Sequence, residues 1–247
     1  MTPHIAIDRL RDEVERASQH YYHTDLQQGI DNRTKQFLVE RILPFVKGPQ
    51  VLDLGYVDGL WTDAFLTQGF AVDIVEGAAR HIEHLRARYL DLARVRGFHC
   101  LFQEFEPDRA YNTVVAGDML RYVPEPRAFL EQVRGWLRPG GTLIATVPNS
   151  RSLHRRIGTL LGMERRPTDA NARDREVGNL RAYDRYEFRD LLVSAGYCVQ
   201  LLQGCFLKPL SSAQMNDWDD RLLRAFLEVG DELQDYSWFL YAVCRAM

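Results

Sequence analysis

The residues best placed to do chemistry fall in two short stretches. One is Val51-Leu52-Asp53-Leu54-Gly55-Tyr56-Val57-Asp58-Gly59, and the other ends at Glu76, 21 positions beyond Gly55. In the first, an aliphatic run meets an acid and a glycine, with a second glycine four positions on. A glycine at the end of a strand lets the backbone approach a ligand closely, because no Cβ intervenes. The start of a following helix then turns free N–H groups toward that ligand. The spacing does not suit a phosphate. A pyrophosphate loop reads G-x-G-x-x-G, whereas Val57 and Leu60 stand at the two decisive positions and Asp58 would repel an anion. An acid at the end of a second strand accepts two hydrogen bonds from neighbouring hydroxyls, as on a ribose. Glu76 taken alone is equally a solvent-facing strand terminus; the loop before it favours the ribose role.

The other chemistry-bearing residues are less distinctive. His154, in Ser150-Arg151-Ser152-Leu153-His154-Arg155-Arg156, is a candidate general base, with the arginines as partners for a phosphate or carboxylate; the alternative is a basic, solvated helix end. Tyr122 either orients a substrate or packs. Tyr21, Tyr22 and His23 either close over a ligand or staple N-terminal helices together. Tyr183 and Asp184 either line a lid or, for Asp184, cap a helix. Phe206-Leu207-Lys208-Pro209-Leu210 with Gln214-Met215 suggests a pocket wall or a contact between two copies of the chain, which leaves a homodimer open. Trp218, Phe226 and Trp238 read as core aromatics.

The elements that must position these residues alternate. Helical periodicity covers Ile7–His20 and Asn32–Val46. Strands are expected at Val51–Leu54, Ala71–Val75, His99–Phe102, Thr113–Ala116 and Leu143–Val147. Helices are expected at Leu60–Thr67, Ala79–Leu92 and Pro126–Trp136. Such alternation predicts a parallel sheet with helices on both faces and ligands at the strand C-termini. Asn149–Tyr183 breaks the rhythm and reads as a lid or substrate wall over the sheet edge. A helix at Tyr186–Ala195, a strand at Tyr197–Leu202, a second excursion at Lys208–Gln234 with a helix near Arg221–Val229, and a last strand at Trp238–Cys244 complete the chain. The expected organisation is one domain over 1–247: a helical cap (1–48), a core (49–148), a lid (149–185) and C-terminal strands with a helical insertion (186–247).

Taken in order, these stretches resemble the class I S-adenosylmethionine-dependent methyltransferases, over Val51 to Tyr197 and more loosely the whole chain. Asp53-Leu54-Gly55 through Gly59 resembles the family's first motif and Glu76 its ribose acid. Gln103-Glu104-Phe105 sits where the family contacts the adenine amino end and ring face. Val114-Val115-Ala116-Gly117-Asp118-Met119-Leu120 resembles the fourth-strand motif, and Leu137-Arg138-Pro139-Gly140-Gly141-Thr142-Leu143 the turn into strand five. Val147-Pro148-Asn149 resembles the subgroup of ubiquinone-pathway and sugar or natural-product methyltransferases. The resemblance implies a Rossmann-like seven-stranded sheet, mostly parallel, with an antiparallel last strand inserted beside the sixth. It also implies S-adenosylmethionine as cofactor, S-adenosylhomocysteine as product, and cofactor contacts from Tyr22, Asp53, Gly55, Tyr56, Gly59, Glu76, Gly77, Gln103, Glu104, Phe105, Gly117, Asp118 and Met119. The implied reaction is methyl transfer to oxygen or nitrogen of a small molecule, with a sugar-containing or natural-product acceptor first. In that chemistry the cofactor carries the reactive carbon, and the protein orients the nucleophile and excludes water. Two positions depart from the pattern. Val57 replaces a usual glycine, and Leu120-Arg121-Tyr122 replaces Leu-Glu-His. They keep open a catalytically silent binding or scaffold protein of the same fold. A nicotinamide-dependent oxidoreductase is disfavoured by the loop spacing.

Composition narrows the classes further. Hydrophobic residues at 46% and charged residues at 26% suit a soluble globular chain, and a net charge of −3 argues against a nucleic-acid or membrane surface. No basic stripe interleaved with aromatics supports RNA methylation. No apolar run spans a bilayer, and no apolar signal core opens the chain, so a cytoplasmic location is expected. Cys100, Cys198, Cys205 and Cys244 form no C-x-x-C pair, which predicts buried free thiols and no metal site.

Overall fold

The structure is a computed structural model describing residues 3–22, 29–89, 93–163, 165, 166, 168, 174 and 178–247, with the side chains of 3–6 and 20–22 outside that description. Tyr21, Tyr22 and His23 therefore lie outside the described residues as far as any contact is concerned.

Two helices, α1 (Pro3–Tyr22) and α2 (Ile30–Ile42), precede the sheet. Pro44 cannot supply the N–H that another α-turn needs, so α2 ends in a 3-10 turn at Leu43–Phe45, short of Val46. The chain then alternates through β1 (Gln50–Leu54), α3 (Leu60–Thr67), β2 (Ala71–Glu76), α4 (Ala79–Arg88), β3 (Val95–His99), β4 (Tyr111–Gly117), α5 (Pro126–Trp136) and β5 (Leu137–Pro148). After α6 (Leu153–Leu160) come α7 (Arg185–Ser194), β6 (Tyr197–Cys205), the short α8 (Ser212–Met215), α9 (Asp220–Glu232) and β7 (Phe239–Ala246). The seven strands lie in the order β3-β2-β1-β4-β5-β7-β6, parallel except for β7, which runs antiparallel to both neighbours.

Strand residues alternate between two cores, as a period of two requires. Leu52, Leu54, Val114 and Ala116 join Phe129, Leu130 and Val133 of α5 and Phe188 and Leu192 of α7 on one face. Val51, Val72, Ile74 and Val115 join Phe37 and Leu38 of α2, Phe65 of α3 and Leu223 and Leu227 of α9 on the other. Both faces are covered, which explains why these strands read as unbroken aliphatic runs. Helix α7 starts where Asp184 accepts the Tyr186 and Glu187 N–H groups at 2.9 Å each. Asp184 is thus a cap and no lid residue. Tyr183 is buried against Phe188.

Three sequence expectations change. The third strand is Val95–His99, not His99–Phe102, because Gly97 permits close packing rather than a turn. A Cβ there would lie 2.8 Å from Leu85 Cδ2 of α4. Residues Phe102–Glu104 instead form a 3-10 turn, closed by the Glu104 carboxylate accepting the Leu101 N–H at 3.1 Å. In the Phe206–Leu210 and Gln214–Met215 stretch, Phe206, Leu207 and Met215 are buried in the chain's own core rather than forming a wall or contact surface, and of the large apolar side chains only Leu210 is exposed. Of the four free cysteines, Cys205 and Cys244 are buried, but Cys198 is exposed and Cys100 half-buried. Among the described residues, no helix is long and apolar enough to cross a membrane.

Candidate functional site

The chain runs from β1 outward to β2 and β3, then returns to the other side of β1 for β4 and β5. This reversal opens a crevice beyond the C-termini of β1 and β4, the place where such sheets bind ligands. A cavity sits there, walled by Asp53–Gly59, Glu76–Ala78, Leu101–Gln103 and Gly117–Met119. Leu10, Val14 and Ala17 of α1 form its roof, and Lys35, Trp61, Tyr122 and Leu180 its far side.

The loop after β1 has the geometry its glycines promise. Gly55 and Gly59 stand at φ +100° and +83°, where only glycine is unstrained. Asp58 Oδ1 accepts the Leu60 N–H at 3.0 Å, so the chain's own carboxylate occupies the anion position at the start of α3. Val57 lines the cavity at φ +32°, a strained conformation for a β-branched residue. Tyr56 contributes backbone only. Its ring packs edge-on to Tyr89 and its hydroxyl lies 3.2 Å from His84 Nδ1, away from the cavity.

Glu76 is buried at the end of β2 and held on both oxygens. Oε2 accepts the Tyr56 N–H at 2.9 Å and Oε1 the Ala78 N–H at 2.7 Å. His81 Nδ1 stands 3.4 Å from Oε2. Burial alone would raise the carboxyl pKa, but His81 and the two backbone donors outweigh it and hold Glu76 below the ordinary value. Each carboxylate oxygen has two acceptor positions; Oε1 keeps one for a ligand's hydroxyl, whereas Oε2 already meets both the Tyr56 N–H and His81 Nδ1.

Asp53 lies deeper, where its Oδ2 accepts the Thr62 hydroxyl at 3.4 Å. Burial, abetted by Asp58 and Glu76, raises its pKa well above normal despite that hydrogen bond. A carboxyl whose folded pKa is raised stabilises the fold below its unfolded pKa and loses that contribution as pH rises through the folded value. Replacing Asp53 with Asn is therefore expected to raise the melting temperature of the ligand-free protein more at pH 8 than at pH 5. Thermal melts at the two pH values check this; an equal shift at both would contradict it.

Several sequence candidates stand apart from the cavity. Phe105 is buried against Phe98 and Trp136 with centroids 5.1 and 5.4 Å away, so it is core. Glu104 is turned to Leu101 and to Arg11 of α1, 2.6 Å away. The cavity wall at this point is Leu101, Phe102 and Gln103, a ring three residues before the expected one. His154 is not in the wall. It packs edge-on to Trp238 and donates its backbone N–H to Lys208 O at 3.1 Å. Burial, reinforced by Lys208 and Arg155, pushes its imidazole pKa down to about 3, which makes it a poor base. Arg155 is paired with Asp174 at 2.7 Å. The structure brings together Asp53, Gly55, Gly59, Glu76, Gly77, Gln103, Gly117, Asp118, Met119 and Tyr122, with the Tyr56 backbone. Sequence reading missed Lys35, Trp61, His81 and Phe102. For His81 the signal was present: it lies five residues after Glu76, in the first turn of α4.

A family model described as a methyltransferase domain matches residues 18–201. The ubiquinone biosynthesis O-methyltransferase of Idiomarina loihiensis is 29% identical over 105 residues, 41% of this chain and 43% of that protein. The chain thus spans less than half the length of this curated relative. Among solved structures, the Burkholderia thailandensis 1,6-didemethyltoxoflavin-N1-methyltransferase with bound 1,6-didemethyltoxoflavin and S-adenosylhomocysteine superposes with a TM-score of 0.65 at 19% identity, covering 100% of this chain and 91% of that one. The N-methyltransferase NodS of Bradyrhizobium japonicum, in complex with S-adenosylhomocysteine, gives 0.61 at 13% identity, covering 95% and 99%.

Proposed function

The chain belongs to the methyltransferase-domain family, and on that premise we propose that its cavity binds S-adenosylmethionine and directs methyl transfer to an oxygen or nitrogen of a small molecule. The observation that carries this reading is Glu76: a buried, ionised carboxylate at the end of β2, anchored by two backbone N–H groups and still able to accept a ligand hydroxyl on Oε1. Beside it, the helix start that would hold a phosphate is filled by Asp58. A ribose without a pyrophosphate fits both facts, and this also disfavours a nicotinamide dinucleotide.

Assigned to the wall, the adenine lies along Leu101, Phe102 and Gln103, the ribose on Glu76, and the methionine end between Gly55, Asp53 and Lys35. Lys35 supplies the positive charge for the carboxylate and Asp53 the negative charge for the ammonium. The bound cofactor supplies an electrophilic methyl carbon on a sulfonium. The chain's own residues enclose it: α1 roofs the cavity, and the apolar wall of Leu10, Val14, Met119 and Val123 excludes water. For the acceptor we favour a sugar-containing or natural-product molecule, entering where Tyr122 and Leu180 border the cavity. The excursion after β5 supports this, since its ends are fastened by Ser150 N–H donating to Tyr183 O at 2.8 Å and its Gly178 and Leu180 line the cavity. We take the whole chain as one methyltransferase unit. Calorimetric titration with S-adenosylhomocysteine is expected to show saturable one-to-one binding; no heat at millimolar ligand would remove the reading.

A further inference from the structure

The strand order gives the cavity a direction. Leu101–Gln103 follow β3, Glu76 ends β2, Gly55 follows β1, and the next strand along the edge is β4. On the cofactor reading above, adenine, ribose and methionine lie across the first three. The reacting end is therefore presented to the end of β4, where Gly117 and Asp118 stand in the cavity wall. What faces Gly117 there is an aromatic ring.

Trp61 reaches this point from the first turn of α3, directly after the glycine loop. A Cβ built on Gly117 would meet the indole first, with Cε2, Cζ2 and Cη2 at 3.6, 3.6 and 3.7 Å. These are successive atoms of the six-membered ring. A point off the ring's edge would meet one or two of them well before the third, so near-equal distances put that point over the face. Gly117 and the face of Trp61 thus bound one slot of the cavity, and the missing side chain at 117 leaves it open. Phe65 steadies the ring, tilted 67° to it with centroids 6.4 Å apart. Among the described residues, no Arg or Lys stands over the Trp61 ring, whereas Trp238 carries Lys208 Nζ 3.6 Å from its centroid.

We propose that the face of Trp61 is a subsite for the cofactor's positive charge, by which this protein holds the methylated sulfonium more firmly than the neutral thioether left after transfer. The proposal rests on the cofactor reading. A sulfonium carries a fixed charge and no hydrogen to donate, so anions and π faces are the partners open to it. A carboxylate set against the methyl group would compete with the acceptor as a nucleophile. An aromatic face attracts the charge through its quadrupole and offers no such lone pair, and tryptophan has the strongest face of the natural side chains. When the acceptor's oxygen or nitrogen bonds to the methyl carbon, the carbon–sulfur bond breaks and its electron pair stays on sulfur. The sulfur is then uncharged, and the attraction to the ring ends. Trp61 thereby separates substrate from product by charge, at the one place where the two differ, and favours release of the product.

The test needs no knowledge of the acceptor. Calorimetry would compare S-adenosylmethionine and S-adenosylhomocysteine on the wild type and on Trp61→Leu. The expected result is a preference for the charged ligand, taken as the ratio of the two affinities, lowered roughly 3- to 30-fold by the substitution. A second preparation keeps the ring and the fold: the full chain made with tryptophan replaced by 5-fluorotryptophan, which draws charge from the ring face at nearly constant shape. Of the four tryptophans, all among the described residues, Trp61 alone lines the cavity. S-adenosylmethionine should bind the fluorinated protein more weakly and S-adenosylhomocysteine as before, and this preparation decides the matter if Trp61→Leu does not fold. Equal loss of both ligands would make Trp61 a contact of shape alone and overturn the proposal, as would an unchanged ratio. A wild type that binds neither ligand would overturn the cofactor reading itself.

Discussion

Replacing Glu76 with Ala is expected to lower S-adenosylhomocysteine affinity by roughly 10- to 100-fold. A hydroxyl hydrogen bond to a charged acceptor would be lost, contributing about 1.5–3 kcal/mol, and every 1.4 kcal/mol is about tenfold. The substitution also acts on the protein. The Tyr56 and Ala78 N–H groups lose their acceptor, and these two donors tie the loop after β1 to the start of α4. His81 loses the carboxylate 3.4 Å away. Both effects loosen the surface that the ligand must meet. Glu76→Gln keeps one acceptor oxygen and approximates the shape, so its loss should be smaller. The titration that gives the wild-type affinity gives these as well. An alanine variant that binds as tightly as wild type would show that the ribose, if bound, lies elsewhere.

The second large effect concerns stability. Asp73→Ala is expected to destabilise the protein by about 3 kcal/mol, read from urea unfolding as a lower midpoint with an unchanged slope. Asp73 is 3% exposed in β2 and serves two hydrogen-bond partners, with Arg109 Nε a further 3.9 Å from its Oδ2. Arg96 of β3 donates to Oδ1 through Nε at 2.8 Å, and Tyr111 at the start of β4 donates its hydroxyl to Oδ2 at 2.8 Å. These bonds join three strands across the end of the sheet opposite the cavity. Arg96 is a third exposed and keeps Asp108, 2.9 Å away, so the ion pair itself contributes modestly. The larger cost is the Tyr111 hydroxyl, fully buried and left without an acceptor, which is worth about 1–3 kcal/mol. Adding Tyr111→Phe to the alanine variant removes that orphan donor and should recover about 1 kcal/mol. A single-variant loss below about 1 kcal/mol would mean that the sheet does not depend on this cluster.

Legibility of the sequence followed the range of the interactions. The central strands were readable because both faces are buried, so every position carries the same demand for aliphatic side chains. Helix α5 was readable to its ends, with Pro126 at its first turn and four inward apolar residues at helical spacing. The third strand was misplaced because Gly97 looks like a chain breaker, and only the close approach of Leu85 and Ile82 explains it. The cavity wall beside it is lined by Phe102, three residues before the Phe105 that the resemblance implied. At the site, residues fixed by their own strand ends were legible: Gly55, Glu76, Gly117 and Asp118. Lys35 and Trp61 were not, because they reach the cavity from helices that touch it only in the folded chain. His154 shows the converse. Its position after β5 suggested a base, yet burial beside Lys208 leaves it neutral and turned to Trp238.

The central claim is that one cavity at the β1–β4 crevice holds S-adenosylmethionine without phosphate-binding machinery. A crystal structure with S-adenosylhomocysteine bound tests it most directly. The expected result is a ribose hydroxyl on Glu76 Oε1, the adenine along Leu101–Gln103, and the sulfur facing Asp118. A nucleoside found elsewhere, or in this cavity with its ribose away from Glu76, would contradict it.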